Sequence, residues 1–177
     1  MVQTNGQVMK RELKEILSGN QAKLLKYWIS KCENGELPER KGISPADLIF
    51  CLSNVSIIEQ QTDGHFRFRL TATHLKDVLG TECRGRLVQE ECGNEVPWAE
   101  AVRRCQKSGS PVFGSTPVGH RRAHFWMRLP LRPLEDNRQP ILCYDNIAFD
   151  DDGLRRETMF VTADMVNRSV QPTQPVA

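Results

Sequence analysis

No apolar run in the chain approaches the roughly 20 residues that a membrane-spanning helix requires, so no membrane span is expected. The N-terminal stretch MVQTNGQVMKRELKE lacks the apolar core of a secretory signal, which points to the cytoplasm. Cysteine occurs six times, at 32, 51, 83, 92, 105 and 143, yet no two form a C-x-x-C pair. In a reducing compartment these thiols are expected to stay reduced, and the usual paired spacing of a zinc site is missing. Cys32, Cys51, Cys105 and Cys143 stand in apolar segments and read as small core residues, whereas Cys83 and Cys92 have more polar neighbours.

An excess of one charge is also missing. The 24 basic residues are interleaved with 22 acidic ones, leaving a formal net charge of +2. Without a clustered basic face, nucleic acid is not an expected partner. G-x-S-x-G, Walker A, dinucleotide-binding and H-E-x-x-H motifs are absent as well. Gly80 to Gly85 brackets four residues but lacks the Lys-Ser/Thr of a phosphate loop. Asp150-Asp151-Asp152 reads as a solvated turn, without the further oxygens of a calcium loop. No catalytic residue and no metal site is therefore assigned, and binding is favoured over catalysis.

The content of the chain fits one domain. Its 177 residues are 39% hydrophobic and 26% charged, and chains of this size bury about two-thirds of their unfolded surface. Met9, Leu13, Ile16 and Leu17 recur at helical spacing from Gln7 to Ser18. A second stripe, Leu24, Leu25, Trp28, Ile29 and Cys32, is closed by Asn34-Gly35. Ser44-Pro45 starts a short helix. Val55 to Gln60 reads as a strand, Asp63-Gly64 as a tight hairpin turn, and His65 to Thr71 as the returning strand. Leu75, Val78 and Leu79 belong to a helix that Gly80 closes, and a longer helix runs from Pro97 to Lys107. Val112 to Val118 is a strand placed at an edge by Gly114 and Pro117. Arg121 to Leu131 and Ile141 to Phe149 complete the strands, and Arg155 to Thr162 fits either a further strand or a helix. Strands joined by hairpins imply an antiparallel α+β domain.

Certain words in this order resemble a PAS domain. They are LLKYW at 24–28, LPERKGISPADL at 37–48, FRFRL at 66–70, Ala72-Thr73, and the Gly80 to Gly85 link. More narrowly, the chain is similar to the PAS-like family common in alphaproteobacteria, long catalogued as a domain of unknown function. Ala72, His74 and the polar run Tyr144-Asp145-Asn146 depart from that family's pattern. The resemblance implies a PAS-like five-stranded antiparallel sheet with helices over one face and an N-terminal helical extension. The corresponding division is 1–19 as the extension, 20–150 as the PAS-like domain, and 151–177 as a C-terminal extension with a disordered tail. It implies a stand-alone sensory or signalling domain that binds a small ligand or a partner protein. Such domains commonly form homodimers through their N-terminal helices and pass a signal to another protein. Haem or flavin is compatible with the fold, although no motif here calls for either. A ligand-free dimerisation or adaptor module is the alternative, and a small α+β enzyme using the same pocket is disfavoured.

Phe66, Phe68, Leu70, Phe125, Met127 and Leu129 are expected on the inward side of the sheet, lining a pocket with Leu75, Leu79, Trp98 and Val102. Plain core packing fits the same residues. Tyr144 and Asn146 share a strand face and are candidates for the few polar groups such pockets carry. His120, Arg122, His124, Trp126 and Arg128 alternate with the apolar set and read as a charged outer face. His120 and His124 would lie about 13 Å apart along a strand, too far to share a metal. Trp126 interrupts that face: it fits stacking on Arg122 or Arg128 at the surface, or, as the preferred reading, a place beneath the N-terminal helices. With Leu24, Leu25, Trp28 and Ile29 it forms the candidate interface, within a subunit or between two. His74 is of a type that can ligate haem, but it reads first as a polar helix-start residue facing water.

Overall fold

In the computed structural model, residues 17–88, 98–119, 121–149 and 161–162 are described. The helix expected from Gln7 falls outside them except for its last two residues. So do Cys92, His120, the Asp150–Asp152 turn, the tail, and the side chain of Trp98.

The first described helix, α1, spans Gly19–Ser30. Ser18 caps it: its hydroxyl accepts the Gln21 N–H, and the Gln21 side-chain oxygen accepts the Ser18 N–H at 2.9 Å. This reciprocal arrangement satisfies two otherwise orphaned donors. Gln21, Leu24, Leu25 and Trp28 follow the helical repeat and form the buried stripe. Three short 3-10 turns follow, at Arg40–Gly42, Pro45–Leu48 and Leu52–Asn54. The helix expected at Ser44-Pro45 is thus a single tight turn, and the Ser44 side chain makes no capping bond. Its N–H is instead taken by the Tyr27 hydroxyl at 2.9 Å.

Strands β1 (Val55–Gln60) and β2 (Phe66–Leu70) form an antiparallel hairpin. Gly64 at its turn has φ +85°, which a residue with a side chain rarely adopts. Helix α2 (Leu75–Leu79) ends on Gly80, left-handed at φ +74°, and α3 covers Trp98–Ser108. Then come β3 (Val112–Pro117), β4 (Arg122–Pro130), β5 (Pro140–Phe149) and the two-residue β6 (Val161–Thr162).

The sheet is antiparallel throughout, in the order β2-β1-β5-β4-β3-β6. The five expected strands are joined by a short sixth, which decides the open choice at Val161–Thr162 for a strand. Because β6 pairs with Val112 and Phe113, that end of β3 is not an edge.

Both sheet faces are covered. One packs on α1 through Leu24, Leu25, Trp28, Val55, Ile57, Phe113, Met127, Leu129, Leu142 and Tyr144. The other packs on α2 and α3 through Ile58, Phe66, Phe68, Leu75, Val102, Cys105, Val112, Trp126, Ile141 and Cys143. With no face turned to water, apolar alternation alone does not say which helix a strand residue meets.

Candidate functional site

Strand β4 shows the consequence. Met127 and Leu129, expected in the pocket with Phe66 and Phe68, pack on the α1 face instead. Buried Phe125 shares their side by alternation. Tyr144 lies on the α1 face too, its phenol pushed up by burial and partly offset by the Ser18 and Asn20 side chains. Asn146, half-buried on the same face of β5, accepts a hydrogen bond from Asn54 at 3.3 Å. On the α2–α3 face the structure gathers Phe66, Phe68, Leu75 and Val102, with Leu79 partly buried against them. Leu70 belongs to neither cluster and is 43% exposed.

The residues read as a charged outer face are the larger correction. Arg122 is exposed, but His124, Trp126 and Arg128 are completely or almost completely buried, and Trp126 lies in the cluster beneath α2 and α3, not beneath α1. Cys83, expected among polar neighbours, is buried in that cluster as well.

Sheet register explains why charges are tolerated there. Trp126 stands opposite Asp145, so His124 and Arg128, two residues to either side, are its diagonal neighbours on the same face. Asp145 Oδ1 accepts from His124 Nε2 at 2.8 Å and from Arg128 at 2.9 Å. A second Arg128 nitrogen donates to Oδ2 at 3.2 Å and to the carbonyls of Met127 and Tyr144 at 2.8 and 3.1 Å. Since a carboxylate can only accept, the bond from His124 places a proton on its Nε2. The guanidinium lies 5.8 Å from the Trp126 ring, whose N–H donates to the Thr116 hydroxyl at 3.1 Å. Bidentate, charge-assisted bonds of this kind fix geometry as well as charge. Asp145 is therefore an acceptor held in place, and the triad forms a buried polar cluster within an apolar face.

Two bonds tie this cluster to α1 from the far side of the sheet. Gln21 Nε2 donates to the Trp126 carbonyl at 2.9 Å, and Trp28 Nε1 donates to the Pro130 carbonyl at 2.9 Å. Leu24, Leu25 and Trp28, candidates for an interface, are thus spent within the subunit, and Ile29 is half-buried against them. Asn54 Nδ2 donates to the Asp145 carbonyl at 3.0 Å, pinning the neighbouring strand β5 from the β1 side. His74 is exposed at the start of α2, its N–H donating to the Ser53 carbonyl at 2.9 Å.

The PAS domain family model matches residues 17–139. The chain belongs to the PAS domain family. The match spans α1 to the β4–β5 connection, and β5 extends the PAS sheet beyond it. No curated protein and no solved structure matches the chain.

Three buried thiols of this PAS domain are held in the protonated form. Burial pushes the Cys143 thiol up to about 12 and raises Cys105 well above its ordinary range. Cys51, on the α1 face, is pushed up to about 11 by the same cause. Thiolate chemistry at neutral pH is disfavoured at all three. No group of three or more His, Cys, Asp or Glu side chains suited to a metal occurs among the described residues, and no described helix is long and apolar enough to cross a membrane.

Two cues to this site stand apart in the sequence. Trp126 was out of place on a supposed solvated face, and Asp145 was out of place in an aliphatic strand. Only the β4–β5 register brings them opposite one another.

Proposed function

We propose that this PAS domain is a sensory module that acts by binding and not by catalysis. Its ligand would sit between the sheet and helices α2 and α3, where Phe66, Phe68, Leu75 and Val102 form an apolar cluster. The observation that carries this reading is the buried His124–Asp145–Arg128 triad on that face. Burying charged groups costs free energy even when they are paired, and an apolar packing of similar volume is often as stable or more so. A polar cluster on an otherwise apolar face supplies the few oriented groups by which pockets select a ligand.

The signal would leave through α1. Gln21 and Trp28 hold two carbonyls of β4, the strand that presents His124, Trp126 and Arg128 on its opposite side. A ligand that prefers one setting of β4 would shift how α1 docks, in proportion to its difference in affinity for the two settings. A partner protein, or a second copy of the chain, would then read α1. The protein would work in the cytoplasm.

Purified native protein, examined by its visible spectrum and by mass spectrometry of released small molecules, tests the reading. A bound molecule that is reduced or lost in His124→Leu, with the fold retained, supports it. Binding unchanged by His124→Leu and by Arg128→Met would refute the role of the triad.

A further inference from the structure

A cleft of about 630 Å³ opens where the Arg40–Gly42 turn meets β1, β2 and the β4–β5 connection. It shares no residue with the buried triad. Arg40, Lys41, Arg69 and Arg132 line it, against Glu39, Glu59 and Glu135.

Most of these charges are already committed. Glu59, buried on β1, accepts at one oxygen from Arg69 at 3.1 Å and from Arg138 at 3.0 Å. Arg132 bridges Glu36 at 2.6 Å and Glu39 at 2.7 Å, and Glu39 also takes Lys41 at 2.7 Å. The Lys41 ammonium holds the Glu39 carboxyl below its ordinary range, chiefly by hydrogen bonding. Arg40 is the one cation of the cleft lining without an ion pair among the described residues. Its guanidinium meets no carboxylate, and its Nε is buried without a hydrogen-bond partner. A buried donor left unpaired is costly, and native folds seldom keep one without a use.

We propose that this cleft binds a small carboxylate, with Arg40 as its anchor and Arg69 as a second arm. A guanidinium is a planar fork that grips a carboxylate through paired bonds. Arg69 is free to turn toward a ligand because Glu59 keeps Arg138 when Arg69 leaves. Occupation of the cleft thus opens only the Arg69–Glu59 pair and leaves the Arg132, Lys41 and Arg138 pairs intact. The volume falls within the range of small-molecule sites. Glu135, which has no ion pair among the described residues, adds a negative charge to the cleft lining and so weakens the hold on an anionic ligand.

The test is a backbone-amide NMR titration with sodium succinate at constant ionic strength, repeated with inorganic phosphate. Succinate is expected to give saturable shifts at Lys41, Gly42 and Arg69. Arg40→Met should weaken binding about tenfold or more, the scale of a lost charged hydrogen bond. Arg40→Lys should fall between the two, because it keeps the charge and loses the fork, and Glu135→Gln should tighten binding. The melting temperature of each variant checks that the fold is kept. Succinate shifts that never saturate, equal affinity in Arg40→Met, or tighter binding of phosphate than of succinate would each overturn the proposal.

Discussion

Asp145→Asn is the substitution that asks most of the triad. The carboxylate accepts from His124 and twice from Arg128, all at zero or near-zero exposure. Asparagine keeps the shape but loses the charge, and its amide nitrogen faces donors. Removing one member of a buried ion pair costs about 3–5 kcal/mol, because the other charge stays buried without compensation. For a chain of this size, about 2–4 °C of melting temperature is lost per kcal/mol, so a fall of roughly 6–20 °C is expected. Calorimetry or circular dichroism melts of Asp145→Asn, Arg128→Met and the double variant measure it. The two losses should be non-additive, with the double variant less destabilised than the sum by about 1–3 kcal/mol. A single variant melting within about 2 °C of wild type, or strictly additive losses, would refute the argument.

Gln21→Ala removes both the capping partner of Ser18 and the bond to the Trp126 carbonyl; a loss of about 1–3 kcal/mol is expected in urea unfolding, with faster amide exchange at the start of α1. Trp28→Phe keeps the ring packing but strands the Pro130 carbonyl, so it should cost about 1–3 kcal/mol in the same assay, and a neutral outcome would remove that bond from the account. Alkali should destabilise the fold. Unfolded cysteines ionise near 9.0, whereas the folded Cys51 and Cys143 thiols hold their protons to about 11 and about 12. Their contribution is therefore intact below pH 9 and is lost as pH rises from there toward 12. Replacing both by alanine should flatten the fall of melting temperature across that window.

Much of the fold was legible because local signals agreed with one another. The stripe at Leu24, Leu25 and Trp28, the Asp63-Gly64 turn, and the Gly80 stop each correspond to an observed element. The period of two in β4 was legible too, but not its facing. Reading Met127 and Leu129 as inward toward the pocket, and His124 and Arg128 as outward, assumes a sheet with one wet side. Here α1 occupies the second side, so the more apolar set meets α1, and the charged set is buried under α2 and α3 through its bonds to Asp145. Those bonds join residues up to 21 positions apart and depend on strand register, which neither propensity nor spacing specifies. The cleft around Arg40 is assembled from a turn, two strands and a hairpin, and no single stretch of sequence announces it.

The central claim is that the α2–α3 face of this PAS domain holds a small molecule and that α1 responds to it. Amide spectra of the protein, recorded after its small molecules have been stripped and again after they are restored, test this most directly. The account predicts coupled shifts at Val102, Trp126 and Cys143 on the covered face and at Gln21 and Trp28 on α1. Spectra in which these amides do not move, with and without the small-molecule fraction, would contradict it.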